Sequence, residues 1–405
     1  MKFSDYIATF SAAFRVPREC SPRLVWKFMY TFGWKSMRNI SRFEKRQARG
    51  GTFFPAFVMI SVTESCNLAC SGCWVSVNGR KALTAEQLDG IIAVSKQKGS
   101  YFFGILGGEP LMYKGLLDIM AKHSDCYFQL FTNGTLLTEE MAMRFKKMGN
   151  VTPLISIEGL KEESDVRRGG DEVFERTLAG VRNCRKARLI FGASASICKS
   201  NYNDLVTRKY IDLIAKEGAH YLWYYLYRPV GAEPNAENAL DQEQVLAFRK
   251  FIVEQRKNAP LFIIETYWDA KGNALCPGAT GMSHHISPSG AVEFCPPVQL
   301  ARDFLNEDAS NMAEIFAESQ FLADLRKMTA ESSRGCILLE DPQKLVAFLE
   351  KHEAVDSTSR GTILEEYSKM TPVAGHHIAG KEMPEQNIFY KWVKKRYFFG
   401  FGAYG

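Results

Sequence analysis

The chain of 405 residues lacks several features that would place it in a whole class of proteins. It has no run of about eighteen apolar residues, the length that a membrane-spanning helix needs. Its N-terminus has no apolar stretch followed by a small-residue cleavage site, so we expect no secretory signal peptide. It also has no repeat of fixed period and no low-complexity tract. These absences favour a globular, cytoplasmic protein.

Ten cysteines are present in this chain without an export signal, which favours metal ligation over disulfides. Three of them, Cys66, Cys70 and Cys73, have the spacing C-x3-C-x2-C. Three thiolates so close together can hold three irons of a four-iron cluster, whereas a ferredoxin supplies a fourth cysteine. No cysteine follows in the next fifty residues or so, and zinc sites usually complete four ligands. The spacing therefore predicts a cluster with one iron left open to a small molecule.

An apolar, β-branched run at 57–63 precedes this cysteine loop and predicts a buried parallel strand. A strand followed by this cysteine spacing resembles the radical S-adenosylmethionine (radical SAM) enzymes. One departure is Gly72, where the family often has an aromatic residue, and we expect Trp74 to supply the missing ring. The resemblance implies a [4Fe–4S] cluster on the three cysteines, with SAM bound at the open iron.

Three further strand ends carry polar or glycine-rich motifs in the order that this family shows. The resemblance implies that a Gly-Gly-Glu-Pro turn after the second strand meets the amino group of SAM. At and after the fourth strand, Ser156, Glu158 and Arg168 are candidates for the SAM carboxylate and ribose hydroxyls. No residue is identified as a catalytic acid or base. The predicted cofactor-binding residues are Gly107, Gly108, Glu109, Pro110, Asn133, Ser156, Glu158 and Arg168.

Strand and helix patterns alternate along the chain and predict an α/β fold, a partial (β/α)6 TIM-like barrel with a C-terminal auxiliary cluster domain. Right-handed crossovers place all strand ends on one face, where these motifs would meet. Later strands are predicted near 101–106, 127–131, 152–157, 189–197 and 220–227, with helices near 84–98, 113–123, 138–148, 171–187 and 203–217. We divide the chain into a basic aromatic extension (1–52), the core barrel (53–240), a twitch-like auxiliary domain (241–345) and a C-terminal helix with a basic tail (346–405).

A second, sparser group of cysteines lies beyond the core, at Cys276, Cys295 and Cys336. A glycine-containing hairpin before the second of them resembles the opening of a shortened SPASM/twitch domain, which implies a second [4Fe–4S] cluster. With three cysteines, such a cluster either keeps an open iron that could bind substrate or recruits a fourth ligand. The candidates for that ligand are His284, His285, Glu340 and Asp341, although the two histidines are equally explained as ordinary core or surface residues. Cys20, Cys126, Cys184 and Cys198 are expected to be small core residues.

Basic residues are concentrated at the two ends of the chain and are interleaved with large aromatics. Residues 1–50 contain eleven Lys/Arg and three Asp/Glu, and 391–396 contains four more basic residues. Such composition suits an anionic membrane surface. It could also bind nucleic acid by phosphate contact and stacking, which we favour less. The third alternative is a solvated basic face whose aromatic rings pack on the barrel. The aromatics concerned are Trp26, Phe28, Tyr30, Phe32, Trp34, Tyr390, Trp392, Tyr397, Phe398 and Phe399.

The resemblance implies that SAM is cleaved reductively to a 5′-deoxyadenosyl radical, which takes a hydrogen atom from the substrate. An electron donor such as flavodoxin or ferredoxin is implied as well. A twitch-like domain favours a peptide or protein substrate by analogy, whereas the basic aromatic ends favour a lipid or other membrane-bound small molecule. A non-catalytic iron–sulfur binding protein is the alternative of another class.

Overall fold

The computed structural model describes residues 4–76, 78–265, 267–274 and 276–396. The predicted aromatics Tyr397, Phe398 and Phe399 lie outside these ranges. No helix among the described residues is long and apolar enough to cross a membrane.

A nine-stranded, largely parallel sheet forms the centre of the molecule, in the order β7-β6-β5-β4-β3-β2-β1-β8-β9. All pairings are parallel except that between β8 and β9. The partial TIM-like barrel is thereby confirmed, and all six predicted strands are present. The strands are β1 (Phe57–Ser61), β2 (Phe102–Leu106), β3 (Tyr127–Thr132), β4 (Val151–Ser156), β5 (Gly192–Ile197), β6 (Tyr221–Leu226), β7 (Phe262–Ile264), β8 (Ser283–Ile286) and β9 (Val292–Glu293).

Two short strands extend the predicted sheet at its edges. β7 pairs with β6 at one edge. At the other edge, β8 forms the expected antiparallel hairpin with β9 but also pairs in parallel with β1. The hairpin is therefore continuous with the barrel sheet. As a result, β1, which precedes the first cysteine loop, lies directly beside β8 of the hairpin that ends at Cys295.

Helices cover the outer side of the sheet between successive strands. Thr84 and Gln87 form the expected capping box at the start of the first of them. These helices are α4 (Ala85–Gln97), α5 (Leu116–Lys122), α6 (Glu139–Met148), α7 (Lys161–Arg168), α8 (Val173–Lys186), α9 (Tyr202–Leu205), α10 (Arg208–Glu217) and α11 (Gln242–Gln255), with 3-10 turns at Pro110–Met112 and Ala236–Asn238.

The N-terminal segment forms a helical layer across the end of the barrel where the strands begin. It consists of α1 (Ser4–Glu19), α2 (Pro22–Lys27), a π-helix (Phe28–Ser36) and α3 (Met37–Ala48). Arg15 donates to the carbonyls of Ala219 and Pro260, just before β6 and β7, at 3.1 and 2.9 Å. Lys27 donates to the carbonyl of Met148, just before β4, at 3.0 Å. The layer therefore closes the end of the barrel opposite the predicted motifs.

Aromatic residues of this layer divide between the barrel and the solvent. Phe28 packs edge-on against Tyr127 at 5.5 Å between ring centroids, and Phe32 packs against Phe102 at 5.1 Å. The opposite side exposes large fractions of four apolar side chains. This exposed apolar face comprises Trp26 (71%), Met29 (58%), Tyr30 (48%) and Trp34 (61%). Packing on the barrel thus accounts for only part of the aromatic composition.

The C-terminal region wraps back onto the barrel through short helices and a small sheet. It contains α12 (Pro277–Thr280), α13 (Met312–Glu318), α14 (Gln320–Ser332), α15 (Ile337–Glu340), α16 (Pro342–Lys351), α17 (Ile363–Ser368) and α18 (Ile388–Arg396). An antiparallel pair of β10 (Leu300–Ala301) and β11 (Val355–Asp356) joins its two halves.

A buried charge network holds the last helix against β7. The carboxylate of Glu265 accepts hydrogen bonds from Arg249 and Arg256 at 2.9 Å each and also from Lys394. Arg256 pairs in addition with Glu385 at 2.6 Å. Burial alone would raise the pKa of Glu265, but these cations hold it well below its ordinary value. Lys394, one of the basic tail residues, is therefore buried in an ion pair.

Replacing Glu265→Gln should destabilise the protein by about 3–5 kcal/mol, because it leaves three buried cations with one remaining carboxylate. The measurement is the urea midpoint of unfolding followed by circular dichroism. Glu254→Gln, at an exposed position on the same helix as Arg249, is the control and should change stability by less than about 0.5 kcal/mol. Equal midpoints for the two variants would contradict the role of Glu265.

Candidate active site

A cavity of about 240 Å³ opens at the end of the barrel where the parallel strands finish. Parallel strands bring their C-terminal ends to one face, which explains why residues distant in sequence meet here. The cavity is lined by all three cysteines of the predicted cluster and by residues following β2 to β6. Those that the argument uses are Cys66, Cys70, Cys73, Gly107, Gly108, Asn133, Ser156, Glu158, Arg167, Arg168, Tyr225, Tyr227 and Arg228.

The cysteine loop places three thiols on this cavity wall. The amide of Cys73 donates to the carbonyl of Cys70 at 3.2 Å, which turns the loop back on itself. Desolvation by the surrounding protein raises the pKa of all three thiols, and that of Cys73 reaches about 12. A thiol in such surroundings stays protonated at neutral pH unless a metal binds it. The three thiols are therefore poor free nucleophiles, and their shared place on one cavity wall is what fits a metal cluster.

Arg360, from the C-terminal region, holds the cysteine loop from behind. It donates to the carbonyl of Trp74 at 3.2 Å and to the hydroxyl of Ser76 at 2.7 Å. Its neighbour Ser359 donates its amide to the carboxylate of Glu64, just before the loop, at 2.9 Å. Sequence reasoning missed these residues because nearly three hundred positions separate them from the loop.

The Gly-Gly-Glu-Pro turn lies directly against the start of the cysteine loop. The amide of Gly108 donates to the carbonyl of Thr63 at 2.7 Å, and the amide of Glu109 donates to that of Ser65 at 2.9 Å. Gly107 and Gly108 line the cavity, but Glu109 and Pro110 are not among its lining residues. Their assignment as ligand-binding residues stays a prediction.

Glu109 is fully buried and its carboxylate is bonded to the next strand end. It accepts from the hydroxyl of Thr132 at 2.9 Å and from the amides of Asn133 and Leu111 at 2.7 and 3.0 Å. Three donors satisfy most of the acceptor capacity of the carboxylate. In this structure Glu109 therefore fixes the position of Asn133 on the cavity wall.

The remaining predicted residues form a polar wall with an arginine that we did not predict. Glu158 accepts from the amide of Ser196 at 3.0 Å and pairs with Arg167 at 3.3 Å and Arg168 at 4.0 Å. Arg167 also donates to the thiol of Cys198 at 2.6 Å, so that cysteine is buried, as expected, but also hydrogen-bonded. The family pattern pointed only to Arg168, although Arg167 lies beside it in sequence.

Two buried polar atoms of this wall have no hydrogen-bond partner in the described part of the chain. They are Nε of Arg168 and the hydroxyl of Tyr225. Leaving a buried donor unpaired costs about 1–3 kcal/mol, so such atoms commonly await a ligand or water. Together with the glutamate and the asparagine, they fit a polar ligand that carries both charged and hydroxyl groups, as SAM does.

The second group of cysteines comes together behind the opposite wall of the cavity. Cys276 precedes α12, Cys295 follows β9 and Cys336 precedes α15. Their thiols lie within electrostatic range of one another. Desolvation raises the pKa of Cys276 to about 12 and holds that of Cys295 well above its ordinary value. No three His, Cys, Asp or Glu side chains in the described ranges converge closely enough to hold a single metal ion.

Arg228 connects the cavity with this second group. Its side chain lines the cavity, its Nε donates to the thiol of Cys336 at 3.2 Å, and its guanidinium lies 5.6 Å from the ring centroid of Tyr267. A cation at this position stabilises thiolates of the second group. Arg228 is therefore the link between that group and the cavity that the first three cysteines line.

Both histidines proposed as a fourth ligand have partners for each ring nitrogen. His284 lies 3.3 Å from the carbonyl of Glu293 and 3.1 Å from Arg326. His285 lies 2.5 Å from the carboxylate of Glu293 and 2.8 Å from the hydroxyl of Ser61. These contacts correspond to the alternative in which the two histidines are ordinary core residues.

The two acidic candidates are engaged as well. Glu340 accepts from the amide of Cys336 at 3.3 Å and from the amide of Arg334 at 2.9 Å. Asp341 caps α16 by accepting from the amide of Lys344 at 3.1 Å. Glu340 therefore shapes the loop around Cys336, while Asp341 starts the following helix.

Comparison with protein families agrees with the geometry of the first site. Residues 60–205 match the family described as the radical SAM superfamily. The chain carries a radical SAM domain. Members of that superfamily are enzymes that use a [4Fe–4S] cluster and SAM. The matched range contains Cys66, Cys70 and Cys73 and the strand ends up to β5 that line the cavity, whereas Tyr225, Tyr227 and Arg228 lie beyond it.

Curated relatives of the radical SAM domain act in different pathways. The chain is 29% identical over 173 residues to an Fe-coproporphyrin III synthase of Methanosarcina barkeri, which covers 42% of this chain and 43% of that protein. It is 23% identical over 255 residues to the sporulation killing factor maturation protein SkfB of Bacillus subtilis, which covers 62% of this chain and 58% of that protein. The chain thus spans about half the length of the curated relatives it matches.

Solved structures share the fold over a longer part of the chain. Streptococcus suis SuiB bound to its precursor peptide SuiA aligns with a TM-score of 0.58 at 16% identity, over 71% of this chain and 70% of that one. The AdoMet-bound anSMEcpe aligns with a TM-score of 0.54 at 18% identity, over 77% and 93%. At this identity the likeness concerns the fold alone.

One departure from the family pattern is compensated in space. A methyl group on Gly72 would lie 2.6 Å from the ring of Tyr227, which follows β6. The ring of Tyr227 thus fills the space in front of the cysteine loop. Trp74, which we expected to replace the family's aromatic residue, also lines the cavity and packs edge-on to His285 at 5.9 Å between ring centroids. Two rings from distant parts of the chain, Trp74 and Tyr227, therefore border the site.

Gly231→Ala should disrupt the cysteine loop and lower the iron bound after anaerobic reconstitution by about half or more. Gly231 has φ +116°, and a methyl group there would lie 2.3 Å from the carbonyl oxygen of Cys73, so the loop must move. Gly115→Ala is the matched control, with φ +85° and no atom within 4 Å, and should keep its iron. An unchanged iron content in the Gly231 variant would show that this packing is not required.

Proposed function

We propose that this chain binds a [4Fe–4S] cluster at Cys66, Cys70 and Cys73, cleaves SAM reductively and removes a hydrogen atom from a peptide substrate. The observation that carries the proposal is the single cavity shared by these three thiols and the polar strand ends. The loop presents only three cysteines to this cavity, so one iron of a four-iron cluster is left free to bind SAM. A flavodoxin- or ferredoxin-like protein is the proposed electron donor.

The side chains of the cavity bind and orient the ligand. When bound, the cluster and SAM supply an electron and a 5′-deoxyadenosyl radical. Arg168, with its unpartnered Nε, offers a donor to the carboxylate of SAM. Glu158, held by Arg167 at 3.3 Å, offers oxygens to hydroxyl or ammonium donors. Tyr227 fills the space beside Gly72 and helps to exclude water from the radical chemistry.

Cys276, Cys295 and Cys336 are proposed to hold an auxiliary [4Fe–4S] cluster. The proximity of these thiols to one another and the contact of Arg228 with Cys336 support this assignment. Its position behind the cavity wall suits contact with the substrate. We retain the domain division proposed from the sequence, with the auxiliary unit joined to the barrel through β8.

A peptide substrate is supported by the relatives that cover most of this chain. SkfB is named as a maturation protein and matches 62% of the chain, and SuiB is bound to a precursor peptide. The tetrapyrrole enzymes are more similar in sequence but match only 42–47% of the chain. Because their similarity covers less of the chain, a tetrapyrrole substrate is our second candidate.

Anaerobically reconstituted protein with SAM and dithionite should release methionine and 5′-deoxyadenosine, which liquid chromatography measures. Cys66→Ala should abolish this release because the cluster loses one of three ligands. The double variant Cys276→Ala/Cys295→Ala should still cleave SAM but lose about half its iron and all modification of the substrate. Mass spectrometry of peptides and small molecules after turnover in lysate identifies the substrate class.

Cys184→Ala is the control for both changes, because Cys184 is buried in α8, away from the cavity. It should keep its iron and its 5′-deoxyadenosine release. Absence of 5′-deoxyadenosine from the unmodified protein would instead favour a non-catalytic iron–sulfur protein.

Peripheral attachment to the inner face of the cytoplasmic membrane is proposed for the N-terminal layer. The exposed apolar face is flanked by the exposed basic residues Arg23, Arg38 and Arg42, a combination that suits anionic headgroups. This face and the cavity are at opposite ends of the barrel, so a membrane-bound molecule has no direct path from the bilayer to the site. The arrangement therefore supports a peptide over the lipid substrate that we considered.

Unmodified protein should float with anionic vesicles at low salt and be released at high salt, because screening weakens the basic contacts. Trp26→Ser/Trp34→Ser should reduce flotation by about tenfold, since two interfacial rings are lost. Met143→Ser, at another exposed apolar position (49% exposed), should float normally. Failure of the unmodified protein to float would exclude the membrane role.

A further inference from the structure

His376 is a buried histidine whose ring has no hydrogen-bond partner among the residues that the structure describes. It lies between α17 and α18 and is 2% exposed, and neither Nδ1 nor Nε2 is paired with a described residue. The ring is held in place by its surroundings, since it packs 4.2 Å from the ring of Tyr267 and its carbonyl accepts from Trp268 at 2.8 Å. Buried polar side chains are almost always paired, so an imidazole with two unpaired nitrogens indicates a missing partner.

The ring lies beside the second cysteine group. A methyl group on Gly335, the residue before Cys336, would come within 2.8 Å of His376 Nδ1. Tyr267 contacts both His376 and the guanidinium of Arg228, whose Nε donates to the thiol of Cys336. His376 therefore belongs to the immediate surroundings of the proposed auxiliary cluster.

Three thiolates leave one iron of a four-iron cluster without a protein ligand. All four ligand candidates from the sequence have other partners in the structure, as described above. An imidazole nitrogen is a common iron ligand and replaces cysteine in some iron–sulfur proteins. The unpaired ring of His376 offers this chemistry at the required place.

We propose that His376 is the fourth protein ligand of the auxiliary cluster. The proposal rests on the proposed function, because it requires a cluster on Cys276, Cys295 and Cys336. A cluster with four protein ligands has no iron open to substrate. With His376 as its fourth ligand, the auxiliary cluster would therefore transfer electrons and would not bind substrate.

The test uses full-length protein carrying Cys66→Ala, Cys70→Ala and Cys73→Ala, so that only the auxiliary cluster forms. It is grown with ordinary or nitrogen-15-labelled histidine, reconstituted anaerobically and reduced with dithionite. We expect about four irons per chain and, in pulsed electron paramagnetic resonance, a nitrogen coupling that changes isotope with the histidine label. A further His376→Ala change should abolish the coupling.

His377→Ala is the matched control, because the ring of His377 lies 3.7 Å from Glu382 and is more exposed than that of His376. In this variant the nitrogen coupling from His376 should persist. About four irons per chain with no histidine coupling in the unmutated His376 protein would overturn the ligand assignment and leave the auxiliary cluster standing. Failure to bind any iron would overturn the auxiliary cluster itself, and the ligand assignment with it.

Discussion

The contact between Arg228 and Cys336 is the interaction on which the account of two cooperating sites depends. Arg228 lines the cavity that contains Cys66, Cys70 and Cys73, and its Nε reaches the thiol of Cys336 at 3.2 Å. A cation held against the protein interior needs negative charge close by. Metal-bound thiolates supply that charge on the side of the second group, so the arginine and the proposed cluster stabilise each other.

The two ends of the barrel have separate physical roles. At the end where strands finish, small residues, thiols and charged groups surround a cavity. At the other end, the N-terminal layer packs Phe28 and Phe32 against the first residues of β3 and β2 and turns its exposed apolar face outwards. This separation follows from the parallel sheet, which gathers all strand starts on one side. It explains why none of the basic residues of the N-terminal layer lines the cavity.

Much of the barrel was predictable because its signals are local. Short apolar runs identified β1 to β6, and a capping box identified the start of α4. β8 was predicted as half of a hairpin, but its parallel pairing with β1 was not, because two hundred residues separate these strands and each run is short. Pairing between such distant segments depends on the assembled sheet and leaves no spacing signal in sequence.

The candidate site divides in the same way. Motifs at strand ends identified the thiols and most polar residues of the wall, because each motif is continuous in sequence. Arg360 and His376 were missed because no motif surrounds either residue in sequence. Arg360 contacts the cysteine loop at Trp74, and His376 lies beside Gly335, in both cases across a long stretch of chain. Glu109 was assigned to the ligand, whereas its carboxylate is bonded to Thr132 and Asn133, a contact that only the neighbouring strand end provides.

The most direct test is anomalous X-ray scattering from anaerobic crystals of the unmodified protein with SAM, measured on both sides of the iron absorption edge. The account predicts two iron sites, one at Cys66, Cys70 and Cys73 and the other at Cys276, Cys295 and Cys336, with Arg228 between them. A single iron site at the first group, with the second group free of iron, would contradict it.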